Sequence, residues 1–238
     1  MISSWNSLRQ NRMERLGRAI DTVFNSPVSL VQEMIRIFPD GIIMGMGFFS
    51  LITLSFPYAT FFGSLVESLL PFYGLRIANS YLNFVNVEKG TPNTQCVSGF
   101  MSNDIESLTM FGSSMKSAFP SSHLYIISVA SAYVMSILFR FAKELEIMGS
   151  NYSSRFYIAS LSLPILITFI ALFRIYFGCD DFGVLFFSIL AGILVGVLLV
   201  EQNYRLFGLS SINIIGIPVL HKRTADGQKL YICPTPNS

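Results

Sequence analysis

A short segment near the middle of the chain, residues 119–123, carries side chains that can bind an anion. Its sequence is Phe-Pro-Ser-Ser-His, and proline beside serine is typical of a helix start. Backbone N–H groups at such an end are unpaired and the helix dipole attracts negative charge, while hydroxyls and an imidazole add hydrogen-bond donors. The segment predicts a phosphate site or, in the simpler alternative, a capped helix with a histidine at the level of the lipid headgroups.

These polar side chains stand out because charged residues are scarce in this chain. Of its 238 residues, 52% are hydrophobic and 13% are charged, and the mean hydropathy is +0.55. Soluble domains carry about a quarter charged residues, so the composition excludes an ordinary soluble enzyme. The net charge of +2 excludes a dedicated nucleic-acid binder, and the apolar content excludes disorder. The sequence predicts an integral membrane protein, in contact with membrane lipids.

Uncharged runs show where the bilayer crosses the chain. A spanning helix needs about 20 apolar residues. Four runs meet this requirement and predict transmembrane helices, at residues 41–63, 117–139, 156–173 and 182–200. A further span is predicted over residues 65–87, which contain charged side chains but follow the first run after a very short connector. The predicted fold is an all-α, multi-pass helical bundle of about five transmembrane helices.

The span at residues 65–87 keeps its polar residues on one helical face. Arg76, Asn79, Asn83 and Asn86 recur at spacings of three and four residues. Polar groups at membrane depth normally face the protein interior or a wet cavity, so this stripe is predicted to lead toward Lys89. Equally, the asparagines could only join helices by hydrogen bonds. A transporter is a weaker third possibility, since this stripe is its only support.

The segments before and after the spans have different patterns. Within residues 1–40, arginines recur every three residues and apolar residues keep helical spacing, which predicts short amphipathic helices on the membrane surface, the second beginning at Pro27. Residues 201–238 are polar, and two strand-like runs around residues 224–227 predict a small β hairpin. The predicted organisation is a surface region (1–40), a transmembrane domain (41–200) and a polar tail (201–238).

Five spans place the chemically interesting residues on one side of the membrane. That side holds Lys89, residues 119–123, Arg174 and residues 178–181, because each follows or precedes a span that ends there. They are therefore predicted to form one site. Both sides carry the same number of basic residues, so the positive-inside rule predicts neither the orientation nor the compartment.

The segment Pro-Ser-Ser-His at residues 120–123 and the segment Arg-Ile-Tyr-Phe-Gly at residues 174–178 resemble two motifs of the type 2 phosphatidic acid phosphatase family. Lys89 fits the lysine that opens the family's first motif. The resemblance covers about residues 65–200 and implies the core fold of these membrane lipid phosphatases. It also implies a lipid phosphate or a prenyl pyrophosphate as substrate, and no cofactor.

The resemblance implies a role for each matching residue. Lys89 and Arg174 bind the phosphate, together with Ser121 and Ser122. His123 protonates the leaving group. In the family, a second histidine attacks phosphorus, and this chain has Asp180 at that position.

The departures from the family affect its catalytic residues. Besides Asp180 in place of the attacking histidine, Val184 stands where the family has the supporting aspartate. An Arg-Pro pair is replaced by Cys96 and Val97, and a serine is replaced by Phe173. The resemblance therefore implies a divergent member that binds a phosphorylated lipid headgroup, with its phosphatase activity lost or altered.

Asp180 is a candidate nucleophile, because carboxylates form phosphoenzymes. Together with Asp181, however, it opposes phosphate binding, since like charges about 4 Å apart repel by about 1 kcal/mol in water and about 4 kcal/mol near a protein surface. Carboxylate-based phosphoryl transfer usually relies on a metal cation. We therefore expect metal-free hydrolysis to be lost. The alternative function is a non-enzymatic membrane component with a vestigial phosphate pocket, whose N-terminal helices and C-terminal tail dock protein partners.

Two cysteines, Cys96 and Cys179, lie on the same predicted side as His123 and Asp180. Such residues are acceptable zinc ligands, but their spacing matches no metal pattern, and no metal site is predicted. The two thiols could form a disulfide if that side is oxidising, or remain buried thiols, which is the simplest interpretation.

Overall fold

The computed structural model describes residues 27–82, 85, 119–147 and 150–216, together with two short segments, 222–223 and 229–230. These ranges contain seven α-helices: α1 (Pro27–Thr53), α2 (Phe56–Glu67), α3 (Leu69–Leu82), α4 (Ser122–Arg140), α5 (Ala142–Ile147), α6 (Ser150–Tyr176) and α7 (Phe182–Phe207). A 3-10 turn, Leu209–Ile212, follows α7. Strand β1 (Lys222–Arg223) pairs antiparallel with β2 (Lys229–Leu230). The predicted α-helical bundle is therefore confirmed.

Three segments in the described part of the chain are long and apolar enough to cross a membrane. They are Ser122–Arg140, Phe156–Tyr176 and Phe182–Phe207. Each overlaps one of the predicted spans. The chain thus has the helices expected of a membrane protein.

The predicted span at residues 41–63 is not one helix. Helix α1 ends at Thr53, Leu54 has a φ of 47°, and α2 begins at Phe56. Pro57 explains the break, because its ring clashes with the carbonyl four residues earlier and it has no N–H to donate. The apolar part of α1, Ile37–Thr53, is shorter than the three candidate spans. Helix α1 does begin at the predicted Pro27, but it continues into this run instead of forming a separate short surface helix.

The predicted span at residues 65–87 is also divided. Helix α2 ends at Glu67 and α3 begins at Leu69. Pro71 lies four residues after Glu67. Because proline has no N–H to donate to the Glu67 carbonyl, the helical hydrogen bonds are interrupted here. Ser68 occupies the junction, where its hydroxyl donates to the carbonyl of Leu65 at 2.6 Å. Neither α2 nor α3 alone has the length of a spanning helix.

The centre of the bundle is the contact between the parallel helices α4 and α7. A Cβ placed on Gly192 would lie 2.6 Å from the carbonyl oxygen of Tyr125, and one on Gly196 would lie 2.5 Å from that of Val129. Small residues spaced four apart let two helix backbones approach this closely. Because α4 and α7 run in the same direction, their N-termini meet at one end of the bundle, which we call the site end.

The other helices run between the site end and the opposite end. In α2, the hydroxyl of Ser64 accepts a hydrogen bond from Asn203, near the end of α7. Further along the chain, the carbonyl of Ser68 accepts a hydrogen bond from the hydroxyl of Tyr125, in the first turn of α4. The chain therefore travels through α2 and α3 toward the site end.

The contacts of helix α1 also show its direction. Ile35 of α1 belongs to the same buried cluster as Leu124 and Ile170, close to the site end. The ring of Phe49, near the end of α1, lies 4.8 Å from that of Tyr58, whose hydroxyl donates to the carbonyl of Ile214 beyond α7. Helix α1 thus begins at the site end.

Several predicted features lie outside the described residues. They include the first amphipathic helix with its arginines, Lys89, Cys96, Asn83, Asn86 and the turn at residues 224–227. The ladder between β1 and β2 is two residues long on each strand.

Candidate functional site

The start of α4 forms one wall of the candidate site. The helix begins at Ser122, so the predicted helix start is confirmed. Ser121 precedes it, and the hydroxyl of Ser121 does not cap the helix. Instead, that hydroxyl donates to Oδ2 of Asp180 at 2.7 Å. The serine that could have bound an external anion therefore binds a carboxylate of the same chain.

The end of α6 and the turn after it form the facing wall. Gly178 has a φ of 62°, the left-handed conformation in which helices commonly end at glycine. The backbone N–H of Cys179 donates back to the carbonyl of Arg174 at 2.9 Å, which closes the turn. This reversal brings Asp180 next to Arg174, so Gly178 accounts for how the two charged residues meet.

A buried ion pair joins Arg174 and Asp180. The guanidinium Nε donates to Oδ2 of the carboxylate, and the two side chains are only 8% and 3% exposed. The same Oδ2 accepts the hydroxyl of Ser121. Burying two charges is favourable only when they are paired and hydrogen-bonded, and both conditions are met here. The positive charge of Arg174 is therefore neutralised within the site.

The pair extends to His123. Nη1 of Arg174 lies 3.0 Å from Nδ1 of His123, which is 1% exposed. A guanidinium has no acceptor, so Nδ1 must accept this hydrogen bond. The imidazole is thus neutral and carries its proton on Nε2. Four predicted site residues, Ser121, His123, Arg174 and Asp180, form a single buried polar cluster.

Ser188 is a site residue that the sequence did not indicate. Its hydroxyl accepts the backbone N–H of Ser121 at 2.8 Å and donates to the carbonyl of Val184 at 2.6 Å. One of the N–H groups expected to hold an anion is therefore already paired. A signal for Ser188 existed, because it lies four residues before Gly192 on the helix face that packs against α4.

Other predicted site residues are placed differently. Asp181 is exposed and precedes α7, where its carbonyl accepts the N–H of Leu185 at 3.0 Å. The two aspartates are therefore placed differently, since only the side chain of Asp180 turns inward. Ser122 is half-buried at the first position of α4. Val184 is buried at 1% exposure.

One residue of the predicted polar stripe, Asn79, makes a local contact with the chain after α3. Asn79 is 2% exposed, and its Oδ1 accepts the backbone N–H of Val85 at 3.0 Å. Its side chain therefore holds the chain just after α3.

The state of the cysteine in the site turn differs from the simplest expectation. Cys179 is disulfide-bonded, so the interpretation as a buried free thiol is wrong for this residue. Among the residues that the structure describes, no group of three or more His, Cys, Asp or Glu side chains is placed to hold a metal ion.

No protein-family model, curated protein or solved structure matches the chain. The resemblance to lipid phosphatases therefore stays a prediction from the motifs.

Proposed function

We propose that this chain is a divergent relative of type 2 phosphatidic acid phosphatases that works without hydrolysis, as a membrane component whose phosphate site is filled by its own Asp180. One observation supports this proposal above the others. Oδ2 of Asp180 accepts hydrogen bonds from Arg174 and Ser121, two of the residues that the resemblance assigns to phosphate. The carboxylate thus takes the partners that a phosphate oxygen would need.

The internal anion has an advantage over any external one. Asp180 is linked to Arg174 through a turn of six residues, so its effective concentration at the guanidinium is high. A headgroup would have to displace it and leave a carboxylate unpaired. Removing one partner of a buried ion pair costs about 3–5 kcal/mol. Phosphate binding by the native chain would have to exceed this cost.

The same contacts argue against catalysis. A nucleophilic carboxylate needs an oxygen lone pair directed at phosphorus, whereas Oδ2 of Asp180 is engaged by two donors and the side chain is 3% exposed. His123 keeps its proton on Nε2 and could donate it, but the residue is 1% exposed. Val184 cannot orient a nucleophile, because its side chain is apolar.

The proposal includes the finer architecture. We infer five membrane passages, in which α2 and α3 together make the second, and a phosphatase-like core from α3 to α7. The first N-terminal amphipathic helix and a C-terminal β hairpin would then dock protein partners on the two membrane surfaces. The antiparallel pairing of β1 with β2 supports the hairpin.

A second candidate function is binding of a phosphorylated lipid headgroup. The convergence of Ser121, His123 and Arg174 at one end of the bundle favours it. Under this hypothesis, Asp180 swings away from Arg174 when the headgroup enters.

One binding experiment separates the two functions. The full chain in lipid nanodiscs is titrated with short-chain phosphatidic acid, with short-chain phosphatidylcholine as the control ligand. We expect no preference for phosphatidic acid in the native chain. Asp180→Asn should bind phosphatidic acid at least about tenfold more tightly than the native chain, equivalent to 1.4 kcal/mol, because Arg174 is then uncompensated.

A matched variant tests the origin of this gain. Adding Arg174→Gln to Asp180→Asn should abolish it, because the uncompensated cation is removed. Strong, Arg174-dependent binding by the native chain would favour the headgroup-binding function instead. Hydrolysis of phosphatidic acid in the presence of a chelator, lost on His123→Ala, would overturn the proposal that the chain works without hydrolysis.

A further inference from the structure

The turn that carries Asp180 also carries a covalent cross-link. Cys179 is half-buried between α6 and α7 and is disulfide-bonded. The chain has three cysteines, and the others are Cys96 and Cys233. We infer that Cys179 pairs with Cys96, and that the site end of the bundle faces an oxidising compartment. This inference stands independently of the proposed function.

The position of α3 makes Cys96 an available partner. The carbonyl of Ser68 is hydrogen-bonded to Tyr125, and the ring of Phe72 lies 5.3 Å from that of Tyr125, in the first turn of α4. Helix α3 therefore leads to the site end, where Oδ1 of Asn79 accepts the backbone N–H of Val85. The eleven residues from Val85 to Cys96 can span up to about 36–40 Å, more than enough to reach the turn after α6.

The C-terminal tail leaves from the opposite end of the bundle. The hydroxyl of Ser211 donates to the carbonyl of Asn203 at 3.1 Å, and the carbonyl of Ile214 accepts the hydroxyl of Tyr58 at 3.2 Å. Helix α7, with 26 residues, separates this end from Cys179 by about 39 Å.

Cys233 is a poor partner for two physical reasons. The pairing of Lys222 with Leu230 folds the tail back, so Cys233 lies at most about 35–38 Å from Gly216. Reaching Cys179 would also carry the charged residues of β1 and β2 through the apolar layer, which is costly. The positions of the helices and of the tail therefore leave Cys96 as the disulfide partner of Cys179.

The chemistry of disulfide formation indicates which compartment the site end faces. Two thiols lose two protons and two electrons as the S–S bond forms, and the disulfide form of a thiol oxidoreductase accepts them as it becomes a dithiol. Structural disulfides persist on the exoplasmic side of membranes and are rare in the cytosol. The site end is then exoplasmic, and the opposite end, with exposed Arg140, Lys143 and Arg205, is cytoplasmic. The equal count of basic residues on the two sides could not decide this orientation.

Thiol mapping on the full chain tests the pairing. Membranes are treated with N-ethylmaleimide to block free thiols, then denatured, reduced and labelled with a polyethylene-glycol maleimide that adds visible mass for each new thiol. We expect two additions for the native chain and two for Cys233→Ser. Cys96→Ser should show none, because Cys179 is then free and blocked in the first step.

The same labelling experiment can also contradict the pairing. Loss of both additions in Cys233→Ser, retention of both additions in Cys96→Ser or no addition in the native chain would each contradict it. Mass spectrometry of the unreduced native chain gives a measurement without variants, in which the cross-linked peptides contain Cys96 and Cys179.

The orientation is tested in sealed vesicles with the cytoplasmic face outward. Lys143→Cys, at an exposed position of the opposite end, should react with a membrane-impermeant maleimide in intact vesicles. The disulfide of Cys179 should resist an impermeant reductant until detergent is added. The reverse pattern would place the site end in the cytosol and refute the inference.

Discussion

Asp180 and Arg174 form a buried ion pair across the single turn that ends α6. The guanidinium contacts the carboxylate and His123 together, and the carboxylate contacts Ser121. Ser121, His123, Arg174 and Asp180 are thus engaged with one another. This closed set of contacts governs how the site responds to substitution.

The first prediction concerns the two charges as a pair. Arg174→Met should lower the free energy of unfolding by about 3–5 kcal/mol, because Asp180 is left buried without a partner. The double variant Arg174→Met with Asp180→Leu should recover most of that loss, since two apolar side chains of similar volume need no compensation. Unfolding of the purified chain in detergent measures both. Equal destabilisation by the single and the double variant would contradict the pairing.

The second prediction concerns the turn. Gly178→Ala should destabilise the chain by about 1–2 kcal/mol, because a Cβ is unfavourable at a φ of 62°. Gly74 is a matched control: neither glycine has an atom within 4 Å of an added Cβ, but Gly74 lies inside α3. Gly74→Ala should stabilise by about 0.4–1 kcal/mol. Changes of the same sign at both sites would refute a purely conformational role for Gly178.

The third prediction concerns the contact of α4 with α7. Gly192→Ala should cost about 1–3 kcal/mol or more, since the new Cβ would lie 2.6 Å from the backbone oxygen of Tyr125. Gly183→Ala, also in α7 but with nothing near the added Cβ, should cost far less. Thermal unfolding of both variants provides the comparison. A tolerated Gly192→Ala would show that the helices do not approach as closely as described.

The fourth prediction concerns the opposite end of the bundle. Nδ2 of Asn203 donates to the hydroxyls of Ser64 and Tyr133 at 2.7 and 2.8 Å. Asn203→Ala should cost about 1–3 kcal/mol, because two buried hydroxyls lose a partner. The neighbouring Gln202 is exposed, so Gln202→Ala should have little effect. Urea unfolding curves distinguish the two, and equal midpoints would contradict the prediction.

The helix ends that form the site could be predicted from the sequence because they depend on local chemistry. Proline and serine before Ser122 mark the start of α4, and a glycine after Arg174 marks the end of α6. Their convergence followed from the alternation of spans. Local residue types and topology therefore sufficed to bring Ser121, His123 and Arg174 together.

Two parts of the structure were not predicted, for different physical reasons. Pro57 and Pro71 interrupt the helices in the first two predicted spans. The search for uncharged runs did not detect these breaks, because proline carries no charge. The pairing of Asp180 with Arg174 depends on the geometry of the local turn between them. The charge of Asp180 indicated repulsion of phosphate, but its attraction to Arg174 depends on the turn at Gly178, whose geometry no spacing rule specified.

The exposure of α6 has a consequence for how the bundle is held together. Only 6% of its spanning window is buried, so this helix contacts its surroundings along most of its length. Helices α4 and α7 are fixed to each other at both ends, by Ser121 with Ser188 and by Arg140 with Glu201. The bonds from Arg174 to His123 and from Asp180 to Ser121 then fasten the outermost helix to this rigid pair. These contacts hold the three helices together at the place where the resemblance predicts a phosphate site.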